Sequence, residues 1–309
     1  MVKFYKRENN ELIEVKSLAK NDTLIKVVNP SSDETHMLSS LLNFDPDFIN
    51  DSLDDEERAR IEVDEDTILI ILKVPIKNEK NEKIPYKTIS LGIIIGVNYV
   101  LFATKYKIEF LEKMIEKNLL NPNKKSKMIF EVFFENSKLF LNYLKEINKK
   151  IDASEEELHN SMRNYELETL MYLEKSLVYF TTSLRSNEIM MEKLLRGKLL
   201  ELYEEDQELL EDSLIENKQA IEVTNIYSNI LSGMMDAYAS VISNNLNIAM
   251  KVLTVVTIIL QIPTIITSFY GMNVKLPLQE SPLTYIGIIS SSIIAMFLIF
   301  LLFKRKKWL

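Results

Sequence analysis

The chain has 309 residues, 47% of them apolar and 27% charged, so it is neither disordered nor too small to bury a core. It has no cysteine and two histidines, which excludes disulfide frameworks, thiolate metal centres and histidine-rich catalytic sites. The net charge of −8 is uneven: residues 1–247 hold 31 basic and 44 acidic residues, whereas residues 248–309 hold six basic residues and one acid. This balance argues against nucleic acid as a partner and for cations near the acidic body.

Residues 1–122 are predicted to form an α+β cytoplasmic domain. Turn signals separate the β-branched apolar runs. The predicted strands are 24–28, 67–74, 89–95 and 99–102, and the predicted helices are 36–42, 46–53 and 107–120. The polar segment 78–81 is typical of a hairpin loop between two of these strands.

Residues 123–250 are predicted to form long stalk helices, because apolar residues recur there at helical spacing. Ser154 followed by Glu157 fits a capping box, which predicts that a second helix begins at this point and ends near Gly197. A third helix is predicted from about Tyr203 to Tyr270. At a rise of ~1.5 Å per residue it would be ~100 Å long.

Two uncharged stretches, 251–270 (after its first residue) and 283–303, are long enough to cross a bilayer. The alternative is a pair of buried helices in a soluble protein. The basic cluster 304–307 predicts that the C-terminus is cytoplasmic, and two spans then place the N-terminus in the cytoplasm as well. The sequence thus predicts a multi-pass protein of the cell (inner) membrane, with 271–282 as an external loop and 304–309 as a basic cytoplasmic tail.

Polar residues in the first span follow one face of a helix. The residues are Thr254, Thr257, Gln261, Thr264 and Ser268, at spacings of three and four, and the same rhythm extends back to Met250 and Asn247. Several copies of this face around an axis would line a narrow polar channel. Polar packing between membrane helices would produce the same pattern, so the spacing alone leaves both interpretations open.

The segment Tyr270-Gly271-Met272-Asn273 ends the first span, and here the sequence resembles the CorA family of magnesium channels. The family signature is Gly-Met-Asn after the first of two C-terminal transmembrane helices. The resemblance covers the whole architecture, and its specific motifs lie in 236–309. It implies a funnel-shaped homopentamer, with cytoplasmic α+β domains, long stalk helices and a ring of pore-lining first spans surrounded by second spans.

The resemblance also implies roles for individual residues. Gly271, Met272 and Asn273 would form the selectivity filter, where Asn273 carbonyls would accept hydrogen bonds from the waters that Mg²⁺ releases reluctantly. Met250 and Leu253 would form apolar gating rings. The pore-lining set is Asn247, Met250, Leu253, Thr257, Gln261, Thr264 and Ser268. Gln261 departs from the aliphatic or methionine residue common in the family, and Pro263 lies one position later than the usual proline.

The resemblance further implies regulatory Mg²⁺ between subunits, and the carboxylates that match the family's positions are Asp51 and Asp212. Asp54, Asp55, Glu208 and Glu211 are alternatives. The predicted function is therefore Mg²⁺ uptake through a channel gated by intracellular Mg²⁺, with Co²⁺ or Ni²⁺ as further ions. The alternatives are a ZntB-like zinc transporter on the same fold and a membrane-anchored scaffold or signalling protein. No sequence motif indicates an enzyme. The expected partners are further copies of the chain, divalent cations and the lipid bilayer.

Overall fold

The computed structural model describes residues 1–9, 11–18, 22–78, 82–161, 164–197, 199–200, 203–274, 276–277, 281, 283–306 and 308. The strands are β1 (Val2–Glu8), β2 (Glu11–Val15), β3 (Thr23–Val28), β4 (Arg60–Asp64), β5 (Thr67–Lys77), β6 (Tyr86–Gly96) and β7 (Tyr99–Thr104). The helices are α1 (Ser32–Leu42), α2 (Asp47–Leu53), α3 (Glu109–Glu116), α4 (Lys125–Ser161), α5 (Asn164–Gly197), α6 (Glu204–Tyr270) and α7 (Leu283–Arg305).

The strands form one sheet in the order β2-β1-β3-β7-β6-β5-β4. β3 and β7 pair in parallel, and the other neighbouring strands pair antiparallel. The predicted hairpin is confirmed, because β5 and β6 pair from Ile68↔Ile95 to Lys77↔Tyr86. Residues 79–81 of its predicted loop lie outside the described residues.

Both faces of the central strands are covered, and for this reason β5 and β6 are almost continuously apolar. On one face Ile70, Leu72 and Val74 of β5 join a core with α3, α4 and α5. On the other face Leu69 and Ile71 join a second core with α1 and α2. Side chains alternate between the two faces of a strand, so each run supplies both cores.

β4 ends its pairing at Arg60↔Ile71, so the edge of β5 beyond that point has no partner strand among the described residues. Asn187 of α5 covers this edge: its Oδ1 accepts from the Lys73 N–H at 2.9 Å, and its Nδ2 donates to the Lys73 carbonyl at 2.8 Å. Asn136 of α4 donates to the same carbonyl at 3.0 Å. The two amides therefore satisfy backbone groups that a buried edge would otherwise leave unpaired.

Helix α2 approaches the sheet closely at a glycine of β6. A Cβ on Gly92 would lie 1.6 Å from the Ser52 Oγ and 2.3 Å from the Ser52 Cβ. Ser52 is buried, and its hydroxyl donates to the Phe48 carbonyl at 2.6 Å. The absence of a side chain at Gly92 thus sets the seating of α2, the helix that carries Asp51.

The prediction that a helix begins after Ser154 is wrong, because α4 continues through this residue to Ser161. Leu144, Ile147, Ile151 and Ser154 are all buried at spacings of three and four. Ser154 therefore belongs to the core-facing side of α4, and its small side chain is accommodated there without ending the helix. The predicted break at Gly197 and the long third helix are confirmed by α5 and the 67-residue α6.

The chain divides into two compact units, Met1–Gly233 and Met234–Leu309. Within the described residues, α6 and α7 are the two helices long and apolar enough to cross a membrane. Pro263 lies inside α6 and Arg305 ends α7.

Candidate ion-conduction site

The residues predicted to line a pore occupy one exposed side of α6 within the second unit. They are Asn247, Met250, Leu253, Thr257, Gln261, Thr264 and Ser268, and each is exposed in the single chain. Apolar members share this exposure, since Leu253 is 67% and Met250 50% accessible. An apolar side chain at this exposure requires lipid, a further protein chain or a narrow lumen as its surroundings.

The opposite side of α6 is less exposed, and α7 has a matching side. On α6 the less exposed residues are Val255, Ile258, Ile259, Ile262, Pro263, Ile266 and Tyr270. On α7 they are Thr284, Ile288, Ser292, Ala295, Met296, Ile299 and Phe303. Both helices also line one cavity of about 370 Å³, to which Tyr270, Thr284 and Ile288 contribute. The apolar, less exposed side of α6 thus lies opposite the polar stripe, and α7 has a less exposed side of its own.

Threonine hydroxyls along the stripe donate to carbonyls of their own helix. Thr254 Oγ1 donates to the Met250 carbonyl at 2.8 Å, and Thr257 Oγ1 to the Leu253 carbonyl at 2.8 Å. Thr264 Oγ1 donates to the Leu260 carbonyl at 3.1 Å. Each hydroxyl has one hydrogen to donate, so the lone pairs that remain make these positions acceptors toward the exposed side. A row of acceptors suits a hydrated cation.

The three predicted filter residues follow the end of α6 and are all exposed. The Gly271 N–H donates to the Thr267 carbonyl at 2.9 Å, and the Met272 N–H to the Phe269 carbonyl at 3.4 Å. Gly271 does not have a positive φ. A Cβ at this position would lie 3.2 Å from the Thr267 oxygen, so close approach to the last helical turn favours glycine. Parts of the predicted loop, residues 275, 278–280 and 282, lie outside the described residues.

Asp51 lies on α2 in the first unit and forms an ion pair with Arg60, Nη2 to Oδ2 at 2.9 Å. The same guanidinium pairs with Glu57 and Glu62, each at 2.8 Å. Burial raises the pKa of the Asp51 carboxyl above its ordinary value. The Arg60 charge opposes this rise in pKa, and Glu57 adds to it. A second cation beside Asp51 would also oppose the rise in the pKa of its carboxyl. Protons and cations therefore compete for Asp51, and cation binding weakens as the pH falls.

Asp212 is exposed on α6 in the first unit. Within the described part of one chain, no group of three or more histidine, cysteine, aspartate or glutamate residues is arranged to hold a metal ion. The assignment of Asp51 and Asp212 to a site shared between subunits therefore stays a prediction. The sequence reasoning missed Arg60 as the partner of Asp51. The charged run 54–60 between α2 and β4 was the available signal.

Comparison with known proteins gives one consistent result. The family model described as CorA-like Mg2+ transporter protein matches residues 23–305. The cobalt/magnesium transport protein CorA of Methanocaldococcus jannaschii is 29% identical over 295 residues, which cover 92% of this chain and 90% of that protein.

Two solved structures extend the comparison to the fold. The complete structure of the CorA magnesium transporter from M. jannaschii matches with a TM-score of 0.84 at 27% identity, covering 100% of this chain and 99% of that one. The ZntB cytoplasmic domain from Vibrio parahaemolyticus matches with a TM-score of 0.62 at 11% identity, covering 78% of this chain and 98% of that one. The second likeness concerns the fold alone.

Proposed function

This chain belongs to the CorA-like Mg2+ transporter family, and from that premise we propose that it mediates Mg²⁺ uptake as a homopentameric channel. Its relative in M. jannaschii is named as a cobalt/magnesium transport protein, which extends the proposed cargo to Co²⁺. Ni²⁺ is a further candidate cargo. Five copies of α6 would surround the pore, each with its polar stripe inward and its apolar side against α7.

The observation that carries the proposal is the division of α6 into two sides. The side that bears Thr257, Gln261 and Thr264 is exposed in the single chain, and the side that bears Val255 and Ile262 is less exposed. In a bilayer a polar stripe is stable against other helices or a water-filled lumen, and not against lipid tails. The acceptor character of the threonines favours a cation that keeps its water shell.

At the outer end of α6, five Asn273 side chains would accept hydrogen bonds from the six waters of hydrated Mg²⁺. Neutral acceptors hold the ion without stripping it, and they bind weakly enough to release it. Met250 and Leu253 would form apolar rings that stop conduction when they are narrow enough to exclude water. The proposed orientation places both termini in the cytoplasm and the loop 271–282 outside, in agreement with the basic residues at the end of α7.

Regulation by intracellular Mg²⁺ would act through Asp51 of one subunit and Asp212 of its neighbour. Asp51 already has a cationic partner in Arg60, so a bound Mg²⁺ would share or displace that guanidinium. Asp212 is exposed and therefore available to a neighbouring subunit. Each regulatory site would bind Mg²⁺ weakly, because Asp51 keeps Arg60 as a partner. The five sites of the proposed pentamer would act together.

Ion flux into liposomes tests the proposed function. Purified full-length chain is reconstituted, and entry of Mg²⁺, Co²⁺ and Zn²⁺ is recorded with and without a pH gradient. The proposal predicts Mg²⁺ entry down its gradient without any need for protons. Proton-dependent Zn²⁺ entry without Mg²⁺ flux would instead support the ZntB-like alternative, and the absence of flux for all three ions would contradict transport altogether.

A further inference from the structure

A basic groove in the first unit contains none of the residues assigned to the pore or to regulation. It has a volume of about 800 Å³ and lies where the end of β5, the start of β6, the start of α3 and the middle of α4 meet. Among the described residues, six lysines and three glutamates line it, in a unit whose sequence is otherwise acidic. These lysines are Lys77, Lys87, Lys107, Lys113, Lys145 and Lys149, and together they define the lysine groove.

Half of these lysines are paired with the groove's own glutamates. Lys77 Nζ lies 2.9 Å from a Glu146 carboxylate oxygen, and Lys87 Nζ lies 3.9 Å from Glu82. Lys113 Nζ lies 4.0 Å from Glu109. Each glutamate is thus matched by one lysine, and the three pairs are close to neutral as a group.

The other three, Lys107, Lys145 and Lys149, are exposed and form no ion pair with any described residue. Lys145 and Lys149 are one turn apart on α4, so their like charges repel each other. The described lining of the groove therefore has an excess positive charge of three, and these charges lie on Lys107, Lys145 and Lys149.

The floor of the groove is held in place by hydrogen bonds. Glu146 accepts from Lys77 Nζ at 3.0 Å and from the Tyr86 hydroxyl at 2.9 Å. Burial raises the pKa of Glu146, but these two hydrogen bonds and the charges of Lys77 and Lys150 together hold it below the ordinary value. The carboxylate is therefore ionised at neutral pH and keeps Lys77 fixed, which leaves the three unpaired lysines as the adaptable cations.

Aromatic side chains form part of the wall. Tyr143 and Tyr106 line the groove, with Lys77 Nζ at 5.2 Å and Lys87 Nζ at 5.1 Å from their ring centroids. Burial raises the pKa of Tyr143 to about 12, so its phenol stays neutral and does not repel an anion. The volume is in the range of pockets for small ligands.

We propose that the lysine groove binds a small oligophosphate anion, the chemistry shared by inorganic tripolyphosphate and nucleoside triphosphates. Three flexible ammonium groups around one cavity match several phosphate groups on one molecule better than they match a single phosphate. The neutral Tyr143 ring gives a nucleoside base an aromatic side chain to contact. This inference does not depend on the proposed transport function, because the groove lies within the first unit and uses none of the residues assigned to the pore or to regulation.

Calorimetric titration of the full-length chain in detergent tests the proposal, in buffer with EDTA so that divalent cations do not compete for the ligand. The titrants are tripolyphosphate, ATP and adenosine. We expect tripolyphosphate and ATP to bind with one site per chain and adenosine alone not to bind. If ATP binds more tightly than tripolyphosphate, the nucleoside base contacts the aromatic wall. If the two affinities are equal, the groove recognises the phosphates alone.

The test variant is Lys107→Gln with Lys145→Gln and Lys149→Gln. The matched control is Lys6→Gln with Lys138→Gln and Lys218→Gln, which removes the same charge from three ion-paired lysines outside the groove. The affinity for tripolyphosphate should fall at least about tenfold in the test variant, because each exposed pair of opposite charges changes the affinity by a factor of about two to three. It should change little in the control. Absence of tripolyphosphate binding to the parent chain, or an equal loss in both variants, would overturn the proposal.

Discussion

At the scale of single residues, the proposed selectivity depends on a neutral amide at the end of α6. Asn273 is exposed, and it follows a glycine whose amide is bonded back to the last helical turn. The turn thereby fixes where the chain leaves the helix. An amide carbonyl in this place offers an acceptor without a charge, which suits an ion that must be recognised with its water and then released.

Asn273→Ala is expected to reduce Mg²⁺ influx into liposomes to the level of protein-free liposomes. The substitution removes the proposed acceptor ring but leaves the exposed position without a packing defect. Val274→Ala is the matched control, since it truncates the next exposed residue without removing an acceptor. Mg²⁺ influx at the parent rate through correctly assembled Asn273→Ala protein would contradict the filter assignment.

At the scale of elements, the seating of α2 on β6 depends on the missing side chain at Gly92. A methyl group there would overlap the buried Ser52 side chain, and α2 would have to shift away from the sheet. Asp51 lies one residue before Ser52. A shift of α2 would therefore change both stability and the position of the proposed regulatory carboxylate.

Gly92→Ala is expected to destabilise the protein by about 1–3 kcal/mol, the usual cost of overpacking a core. Gly233→Ala is the control, because a Cβ there meets nothing within 4 Å inside α6. This change should stabilise the helix by up to about 1 kcal/mol. Thermal unfolding of the full-length chain in detergent provides the comparison. A midpoint for Gly92→Ala at or above the parent's would show that the contact with α2 is not tight.

The sequence predicted the elements that carry a strong apolar pattern. β3, β5, β6, β7, α1, α2, α3 and both apolar C-terminal helices were predicted. The strands missed were β1, β2 and β4, which have few buried side chains: Tyr5 is the buried residue of β1, and Ile61 of β4. These strands form because they pair with neighbouring strands of the sheet, and their own sequences carry little apolar pattern. The capping pattern at Ser154 gave a wrong helix start. The helix α4 continues through this residue because its core-facing side continues there.

For the candidate site, periodicity alone was enough to predict the polar stripe of α6. The resemblance to the family added Leu253, Asn273, Asp51 and Asp212. The ion pair of Asp51 with Arg60 could not be predicted, because it depends on how the segment between α2 and β4 folds back. The lysine groove was missed for the same reason, since its cations come from β5, β6, α3 and α4 and are far apart in sequence.

At the scale of the whole molecule, the proposed pentamer would concentrate negative charge. Residues 1–247 have 13 more acidic than basic residues, and five such bodies around one axis would repel one another. Divalent cations between subunits would screen this repulsion and favour the closed arrangement. Loss of the cations would let the subunits separate, so that uptake rises when internal Mg²⁺ is scarce.

Asp51→Asn combined with Asp212→Asn is expected to weaken the protection that Mg²⁺ gives against proteolysis of α6. The change removes the proposed ligands while it conserves the size of both side chains. Digestion of full-length protein over a Mg²⁺ titration should show the midpoint of protection shifted to higher Mg²⁺. The double variant Asp33→Asn with Asp64→Asn, which alters two other acids of the first unit, should leave the midpoint in place. An unshifted midpoint in Asp51→Asn with Asp212→Asn would remove both residues from the regulatory site.

Chemical modification of single introduced cysteines tests most directly which side of α6 faces the ion. The chain has no cysteine, so a single introduced thiol accounts for any effect of a thiol reagent. Mg²⁺ influx is measured for Thr264→Cys, on the polar stripe, and for Ile262→Cys, on the less exposed side, before and after a water-soluble cationic methanethiosulfonate. If the polar stripe faces the ion, the reagent blocks Mg²⁺ influx through Thr264→Cys and leaves Mg²⁺ influx through Ile262→Cys unchanged. Block of Ile262→Cys with Thr264→Cys unaffected would contradict this orientation of α6.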